Sequence, residues 1–490
     1  MKNPVIWADY PDLDVIRVDD TYYMVSTTMH MFPGCAVLRS YDLLHWEMAS
    51  YVYDSLGETD AQKLQNGNIY GKGMWAASLR YHKGLFHVVF CANDTHRMYH
   101  YTAAQAEGPW TRHQMEGFYH DSSVLFDDDG RVYIVYGNRQ IHLTELTPDL
   151  SRPLKGGLDR IIVTDTPDAS LGYEGSHLLK IHGRYYLFLI HWMSTGHKRR
   201  TEAVYSADSP EGEWTGKDCL DDDMGFHNCG VAQGGIIDTP EGEWYAMLFQ
   251  DHGAVGRVPV VVPVRWEKDL PVMGPVPRDV EITSTRPGHV YAPLIGSDDF
   301  SSGKLASFWQ WNHEPDLSLV TLDSRKKRLI LKSGRLSDSL PDAPNTLTQR
   351  TFGPGTRAEV TVDASGLNEG DFAGICALQG LYAQAGVRKC DGAYLLSWIE
   401  KTDDGIHEET VAVSSSQIRL AVDFDFEDMK DLVVFHYLES GRWTALGRPH
   451  QLEYRLDHFM GCRVGLYCYS TCMTGGEAAF LEFQIDQTGC

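Results

Sequence analysis

Three acidic side chains, Asp12, Asp121 and Glu174, occupy equivalent places in a pattern that recurs along the first part of the sequence. Each lies about eleven residues before the first aromatic or apolar positions of one copy of the pattern. Carboxyl groups crowded into a partly dry cleft raise one another's pKa, which separates them into a proton donor and a charged acceptor near neutral pH. The three residues are therefore candidates for acid/base chemistry on a neutral substrate.

Hydrolysis of a glycosidic bond is one reaction that needs such a set. When it proceeds with inversion, a protonated carboxyl meets the leaving oxygen and a carboxylate activates water, at a separation of roughly 6.5–9.5 Å. Taken singly, each acid has a plain structural interpretation, since Asp12 and Asp121 suit turns and Glu174 suits a solvated loop. Their shared register favours a joint role, because independent turn residues have no reason to occupy equivalent positions.

The pattern that carries these acids is a turn residue followed by aromatic and alternating apolar residues. It occurs as DTYYMVS from Asp20, GLFHVVF from Gly84, GRVYIVY from Gly130, GRYYLFL from Gly183 and GEWYAML from Gly242. Units of this length suit the four-stranded blades of a β-propeller, whose innermost strands line a central channel. The sequence predicts five blades over residues 1–290, in which Trp75 and Gln233 are the equivalents of the three acids.

A second domain is predicted over residues 291–490. The repeat stops after Ile282, and a stretch rich in Pro, Gly and Ser leads into short alternating runs such as RLILKS, RAEVTVDA and CRVGLYCYS. These runs predict a β-sandwich. Two domains suit a chain of 490 residues, and 11% aromatic residues with 46 glycines favour an all-β fold.

Charge and composition argue against several classes of partner. The chain has 43 Lys and Arg against 67 Asp and Glu, a net charge of −24 that repels phosphate backbones and anionic lipid surfaces. No apolar run suits a membrane span or a signal peptide, and the ten cysteines show no zinc-ligand spacing. The sequence predicts no nucleic-acid or membrane partner and a cytoplasmic location with reduced thiols, and it leaves a homo-oligomer possible.

Three segments together resemble glycoside hydrolase family 43. NPVIWADYPDLDVIRVDDTYYMVSTT is similar to the family's entry strand, DSSVLFDDDGRVYIVYG to the segment whose leading aspartate orients substrate, and YEGSHLLKIHGRYYLF to the segment with the general acid. The resemblance implies that Asp12 is the general base and Glu174 the general acid. It implies that Asp121 tunes the pKa of the acid and positions the sugar.

The same resemblance implies further contacts with the sugar. Trp75 is expected to form a wall of the sugar subsite and Arg257 to donate hydrogen bonds, with Gln233 and Phe32 also assigned to substrate binding. A buried plug for Trp75 and a surface or interblade salt-bridge position for Arg257 are the structural alternatives. Gln233 stands where many members have a histidine that helps to hold a central metal ion, often calcium. An amide is a poorer metal anchor, so the occupant of the centre stays open, and the chemistry is expected to need no cofactor.

The second domain resembles the C-terminal sandwich of the family's β-xylosidases, a concanavalin-like jelly roll. Such a domain can close the pocket to a single terminal sugar, and the aromatic run Phe308–Asp316 is the candidate for that contact. A sandwich core explains its two tryptophans equally well. Asp299 and Asp486 are candidates for a structural calcium site, with exposed strand-end acids as the alternative.

The predicted function is an inverting, exo-acting hydrolase that releases terminal β-D-xylosyl or α-L-arabinofuranosyl residues from plant-derived oligosaccharides. Two alternatives stay open, an endo-acting hydrolase of the arabinanase type and a non-catalytic carbohydrate-binding propeller protein. The motifs do not rank xylose against arabinose, because that choice depends on loop contacts.

Overall fold

Five four-stranded antiparallel sheets follow one another through the first part of the computed structural model, which describes residues 2–489. Blade 1 contains β1 (Asp14–Val18), β2 (Thr21–Ser26), β4 (Gly34–Ser40) and β5 (Glu47–Tyr53), while β3 (Met31–Phe32) pairs elsewhere. Blade 2 contains β6 (Met74–His82), β7 (Leu85–Ala92), β8 (Arg97–Ala103) and β9 (Thr111–His113). Blade 3 contains β10 (Ser123–Phe126), β11 (Val132–Tyr136), β12 (Gln140–Leu146) and β13 (Asp159–Thr164).

Blades 4 and 5 complete the ring. Blade 4 contains β14 (Ala169–Ile181), β15 (Arg184–Met193), β16 (Arg200–Ala207) and β17 (Thr215–Leu220). Blade 5 contains β18 (Val231–Asp238), β19 (Trp244–Asp251), β20 (Arg257–Glu267) and β21 (Leu270–Met273). The predicted five-bladed propeller is confirmed.

The recurring sequence pattern corresponds to the second strand of each blade. Its turn residue joins the innermost strand to the second one, and in four blades it is a glycine with φ between 81° and 88°, a left-handed conformation that favours glycine; these are Gly84, Gly130, Gly183 and Gly242. The aromatic and apolar residues that follow are buried between neighbouring blades. The pattern therefore reports both the tight turn and the packing of one blade on the next.

The remaining strands form two sheets packed face to face. The first sheet has the order β3-β22-β25-β34-β27-β28-β29-β30, with β22 (Gln310–Asn312), β25 (Leu347–Arg350), β27 (Asp371–Leu378), β28 (Ala383–Cys390), β29 (Ala393–Thr402), β30 (Gly405–Ala412) and β34 (Arg463–Ser470). The second has the order β23-β24-β35-β26-β31-β32-β33, with β23 (Val320–Asp323), β24 (Arg328–Lys332), β26 (Gly355–Asp363), β31 (Gln417–Asp425), β32 (Leu432–Glu439), β33 (Arg442–Gln451) and β35 (Glu477–Thr488). One apolar core between the sheets confirms the predicted sandwich.

Helical structure is limited to single 3-10 turns at Ala61–Lys63, Gly253–Val255, Leu317–Leu319, Leu340–Asp342 and Glu427–Met429 within the described residues. None of the helices in residues 2–489 is long and apolar enough to cross a membrane. The chain passes from β21 to β22 through residues 274–309, and the predicted domain boundary at residue 290 falls in this segment.

The two domains share a sheet. The short strand β3 leaves blade 1 and pairs with β22, so that Phe32 lies opposite Trp311 at the edge of the first sandwich sheet. Two side chains of the sandwich add hydrogen bonds to the propeller backbone, since Gln310 Nε2 donates to Pro33 O at 2.7 Å and Arg350 Nε donates to Asp9 O at 2.8 Å. The sandwich is therefore held against the propeller face that carries the candidate site.

Candidate active site

A cavity of about 200 Å³ gathers six of the seven residues that the sequence analysis proposed for the site. It is lined by Asp12, Met29, Trp75, Ala76, His120, Asp121, Glu174, Arg200, Gln233, Arg257 and Phe459. The five positions with a shared register, one from each blade, all lie in this lining. The innermost strands thus bring together residues that are far apart in the chain.

Irregular backbone at the start of the innermost strands directs these side chains into the cavity. Asp12, Asp121 and Gln233 have φ of 52°, 48° and 60°, a left-handed conformation that few residues other than glycine adopt readily. The strand pairing also shifts register around Trp75, Glu174 and Gln233, as at β-bulges. Such features re-aim side chains next to active sites.

Asp12 is held by an arginine that shares the cavity. Arg257 lies at the start of β20, and its Nη1 donates a hydrogen bond to Asp12 Oδ1 at 2.6 Å, with both side chains buried. Its Nε and Nη2 groups are buried and have no hydrogen-bond acceptor within the described residues. Arg257 therefore fixes the carboxylate of Asp12 and keeps further donors available beside it.

Glu174 accepts hydrogen bonds from two residues that the sequence analysis missed. Asn138 Nδ2 donates to Glu174 Oε2 at 2.5 Å, and His120 Nε2 lies 3.4 Å from the same oxygen. His120 could have been found from the sequence, because it is the neighbour of the candidate acid Asp121. Asn138 lies in the loop between β11 and β12, and nothing in the sequence around it indicates a role in the site. Both groups position the carboxyl of Glu174 in the cavity.

Buried Asp121 and partly exposed His120 shift each other's pKa in opposite directions, with His120 Nδ1 3.8 Å from Asp121 Oδ1. Burial raises the pKa of Asp121, and the nearby Glu174 and Asp12 raise it further, against the lowering effect of His120. The Asp121 carboxylate raises the pKa of His120 far above its ordinary value, although burial alone would lower it. The cavity thus holds an imidazolium among three carboxyl groups at neutral pH.

Three side chains of the cavity could also ligate a metal ion, since one ligand atom from each of His120, Asp121 and Glu174 lies within 4.8 Å of the others. Among residues 2–489 this is the one group of three or more His, Cys, Asp or Glu side chains with that geometry. The three side chains also contact one another, since His120 lies 3.8 Å from Asp121 and 3.4 Å from Glu174.

Gln233 is anchored from behind by a fully buried glutamate. The backbone N–H of Gln233 donates to Glu202 Oε2 at 2.6 Å, whereas Oε1 of Glu202 has no hydrogen-bond partner within the described part of the chain. Burial raises the pKa of Glu202 well above its ordinary value, outweighing the hydrogen bonds from the backbone of Gln233 and Gly234. Glu202 therefore supports the bulge that points Gln233 into the cavity.

Glu202→Gln is expected to remove a pH-dependent loss of stability. The pKa of Glu202 is higher in the folded than in the unfolded chain. Its contribution to stability is therefore complete at a pH below its pKa in the unfolded chain, and it is lost as the pH rises through its pKa in the folded chain. Glutamine keeps an oxygen acceptor for the Gln233 N–H and cannot ionise. As the pH rises above the ordinary pKa of a glutamate, the Tm of wild type should fall relative to that of the variant. Parallel curves would contradict this, and Glu241→Gln, at an exposed turn of blade 5, is the control.

Two predicted contacts are corrected by the structure. Phe32 does not line the cavity, because β3 carries it into the domain interface, where it is 1% exposed and packs against Tyr53. The run Phe308–Asp316 does not reach the cavity either. Trp309 and Trp311 are 3% and 5% exposed and belong to the sandwich core, the alternative interpretation of their pattern.

The sandwich reaches the cavity through a different residue, Phe459. This residue lies in the loop between β33 and β34, and its ring is 4.7 Å from the guanidinium of Arg257 and 6.2 Å from the ring of Trp75. Arg200, also missed by the sequence analysis, lines the same cavity and pairs with Asp251 at 2.6 Å. One wall of the cavity therefore belongs to the second domain.

Of the two predicted calcium ligands at the ends of the sandwich, Asp299 has protein partners. Asp299 accepts hydrogen bonds from Ser301 and Lys327, the latter at 2.9 Å. Asp486 lies opposite Arg357 where β35 pairs with β26. A calcium ion shared by Asp299 and Asp486 stays a prediction.

Comparisons with known proteins agree with this geometry. The model of Glycosyl hydrolases family 43 matches residues 1–271, and that of the Beta xylosidase C-terminal Concanavalin A-like domain matches residues 297–486. A beta-xylosidase of Formosa agariphila is 27% identical over 90% of this chain and 86% of its own. A non-reducing end alpha-L-arabinofuranosidase of Bacteroides ovatus is 26% identical over 71% of this chain and 68% of its own.

Among solved structures, a protein described as bifunctional GH43-CE from Bacteroides eggerthii superposes with a TM-score of 0.93 and 40% identity. All of this chain is covered, and it spans 64% of the length of that structure.

Proposed function

The chain belongs to glycosyl hydrolases family 43, and on that premise we propose that it is an inverting, exo-acting hydrolase of oligosaccharides. It releases terminal β-D-xylosyl or α-L-arabinofuranosyl residues. The observation that carries this proposal is the meeting of Asp12, Asp121 and Glu174 in one cavity, of which Phe459 from the second domain forms a wall.

The proposed reaction divides the work between two of the three acids. Glu174, positioned by Asn138 and His120, protonates the departing glycosidic oxygen. Asp12, held by Arg257, takes a proton from the water that attacks the anomeric carbon from the opposite side. Asp121, buried in the same cavity, orients the sugar.

Sugar binding is assigned to the other walls of the cavity. The free Nε and Nη2 groups of Arg257 suit hydroxyl groups of a bound sugar, and the rings of Trp75 and Phe459 supply flat apolar surface. Buried donors without an acceptor are costly, so a hydroxyl that satisfies them contributes to affinity and specificity. Gln233 adds an amide with both a donor and an acceptor.

The substrate proposal is supported by the relatives, one described as a beta-xylosidase and another as a non-reducing end alpha-L-arabinofuranosidase. The test is to incubate the protein with nitrophenyl β-D-xyloside and nitrophenyl α-L-arabinofuranoside in parallel and to identify the first-formed anomer by NMR. Release of the inverted monosaccharide is expected. A retained anomer would refute the role of Asp12, and a ladder of oligomers from longer substrates would favour endo action. Sugar binding without cleavage would favour a non-catalytic binding protein.

Phe459→Ala is expected to weaken binding of the terminal sugar by removing the wall that the sandwich supplies. Loss of one aromatic contact predicts a rise in KM of roughly 10-fold with a smaller change in kcat, because the ring does not touch the proposed proton-transfer groups. Phe308→Ala, a partly buried aromatic of the sandwich that does not line the cavity, is the control. An unchanged KM would remove Phe459 from the substrate-binding surface.

A further inference from the structure

The propeller axis, further along the innermost strands than the catalytic cavity, is filled by the side chain of Arg80. Its guanidinium donates five hydrogen bonds. Nη1 donates to Asp14 Oδ2 (2.7 Å) and Leu79 O (2.6 Å), and Nε donates to Val124 O (2.6 Å). Nη2 donates to Ser123 Oγ (2.7 Å) and Leu178 O (3.3 Å). An arginine has five N–H donors, so each of them has an acceptor here. The acceptors come from the innermost strands of blades 1 to 4.

His177 occupies the remaining side of the axis. Its Nδ1 lies 3.2 Å from Asp14 Oδ1, the second carboxylate oxygen of that residue. Blade 5 contributes Gly235 at this level, where a Cβ atom would lie 3.5 Å from the His177 side chain. The innermost strands of all five blades therefore surround one arginine, one aspartate and one histidine.

The carboxylate of Asp14 is charged throughout the physiological pH range. Burial would raise its pKa, but Arg80, His177 and the backbone N–H of Leu79 outweigh this effect and lower the pKa to about 2. Arg80 Nη1 lies 2.7 Å from Asp14 Oδ2, so the positive charge on the axis is paired with this carboxylate.

The oxygen atoms around Arg80 are of the kind that calcium binds. Asp14 offers a carboxylate, Ser123 a hydroxyl, and Leu79, Val124 and Leu178 offer carbonyl oxygens. While the guanidinium holds all five, a divalent ion has neither space nor free ligands among them. A divalent metal ion therefore does not fit among these residues at this level of the propeller axis.

We propose that the guanidinium of Arg80 is the cation that holds the innermost strands together at the propeller axis, in the place that a divalent ion could occupy. The site of this enzyme then assembles without a metal ion at that position. Arg80 is a positioning residue. It ties the strands that carry Asp12, Asp121 and Glu174 to Asp14, two residues after the proposed base. Removing its side chain leaves a cluster of hard oxygen ligands around an unpaired carboxylate, a latent calcium site.

The experiment compares thermal unfolding of wild type and Arg80→Ala after EDTA treatment, with and without Ca²⁺. Wild type should keep the same Tm in both conditions. Arg80→Ala should melt roughly 5–15 °C lower because Asp14 loses its buried partner. Millimolar Ca²⁺ should restore about half or more of that loss, and Mg²⁺ less, because Mg²⁺ demands stricter octahedral geometry. Calorimetry should detect calcium binding by the variant that wild type lacks.

Two variants separate this proposal from a general packing defect. Arg80→Lys keeps a cation and should melt between wild type and Arg80→Ala, with no gain from calcium. Arg463→Ala removes another fully buried arginine, one whose hydrogen-bond partner is Gln310 and not a carboxylate, and calcium should not restore its Tm.

The proposal is overturned if Arg80→Ala gains nothing from Ca²⁺. It is also overturned if EDTA lowers the Tm of wild type and the effect persists in Asp299→Asn, which lacks one of the two candidate calcium ligands of the sandwich. If Arg80→Ala does not fold, the responses of wild type and Arg80→Lys to EDTA and Ca²⁺ decide the question.

Discussion

Glu174→Gln is expected to slow cleavage of a natural oligosaccharide roughly 10³-fold while sparing much of the activity on a glycoside with a strongly acidic phenol as leaving group. The natural leaving group is an alkoxide unless it is protonated, and glutamine cannot supply the proton. A dinitrophenolate departs without one. Glutamine also keeps the oxygen that Asn138 and His120 contact, so the shape of the cavity should survive.

The measurement is the ratio of kcat/KM between wild type and variant for each of the two substrates. Glu241→Gln, at an exposed turn of blade 5, is the matched control and should leave both values unchanged. If the two substrates lose activity equally, Glu174 does not protonate the leaving group, and its carboxyl has another role.

Asp12→Asn is expected to lower kcat roughly 10³-fold on both substrates, because water must be activated whatever the leaving group. Asparagine retains an acceptor for Arg257 Nη1 but carries no charge, so the buried guanidinium loses its ionic partner. A lower Tm is therefore also expected, since breaking a buried ion pair costs about 3–5 kcal/mol.

Kinetics and stability are separated by temperature. Rates of Asp12→Asn are compared with wild type well below the Tm of the variant, where both chains are folded. Asp128→Asn, whose side chain is 87% exposed at the β10–β11 turn, is the control and should behave as wild type. Should Asp12→Asn spare the dinitrophenyl substrate, Asp12 would no longer be the base.

The fold and the three acids are predictable from the sequence because one physical device repeats in it. The tight turn between the first two strands of each blade requires a turn residue, often glycine, and the second strand is buried, which makes its aromatic pattern visible. Positions at a nearly constant offset from that turn fall on or just before the innermost strands, and this offset places Asp12, Asp121 and Glu174 around one axis.

The rest of the site depends on contacts with no local signature. Phe459 enters the cavity from a loop in the second domain, and nothing in its neighbourhood distinguishes it from other sandwich aromatics. The strand β3 has two residues, too few to show alternation, so the sequence does not reveal that Phe32 faces the domain interface. Arg80 lies near the end of β6, and its five acceptors come from four blades, a combination that only the closed propeller brings together.

The pairing of β3 with β22 has a consequence for how substrate enters. A sandwich whose edge strand is a piece of blade 1 cannot swing away from the propeller on a hinge without breaking main-chain hydrogen bonds. Admission of a sugar and departure of the product must then rely on small local rearrangements of the segment around Phe459. Turnover in this protein should accordingly respond to substitutions in residues 453–460 and be insensitive to changes in the connecting stretch 274–309.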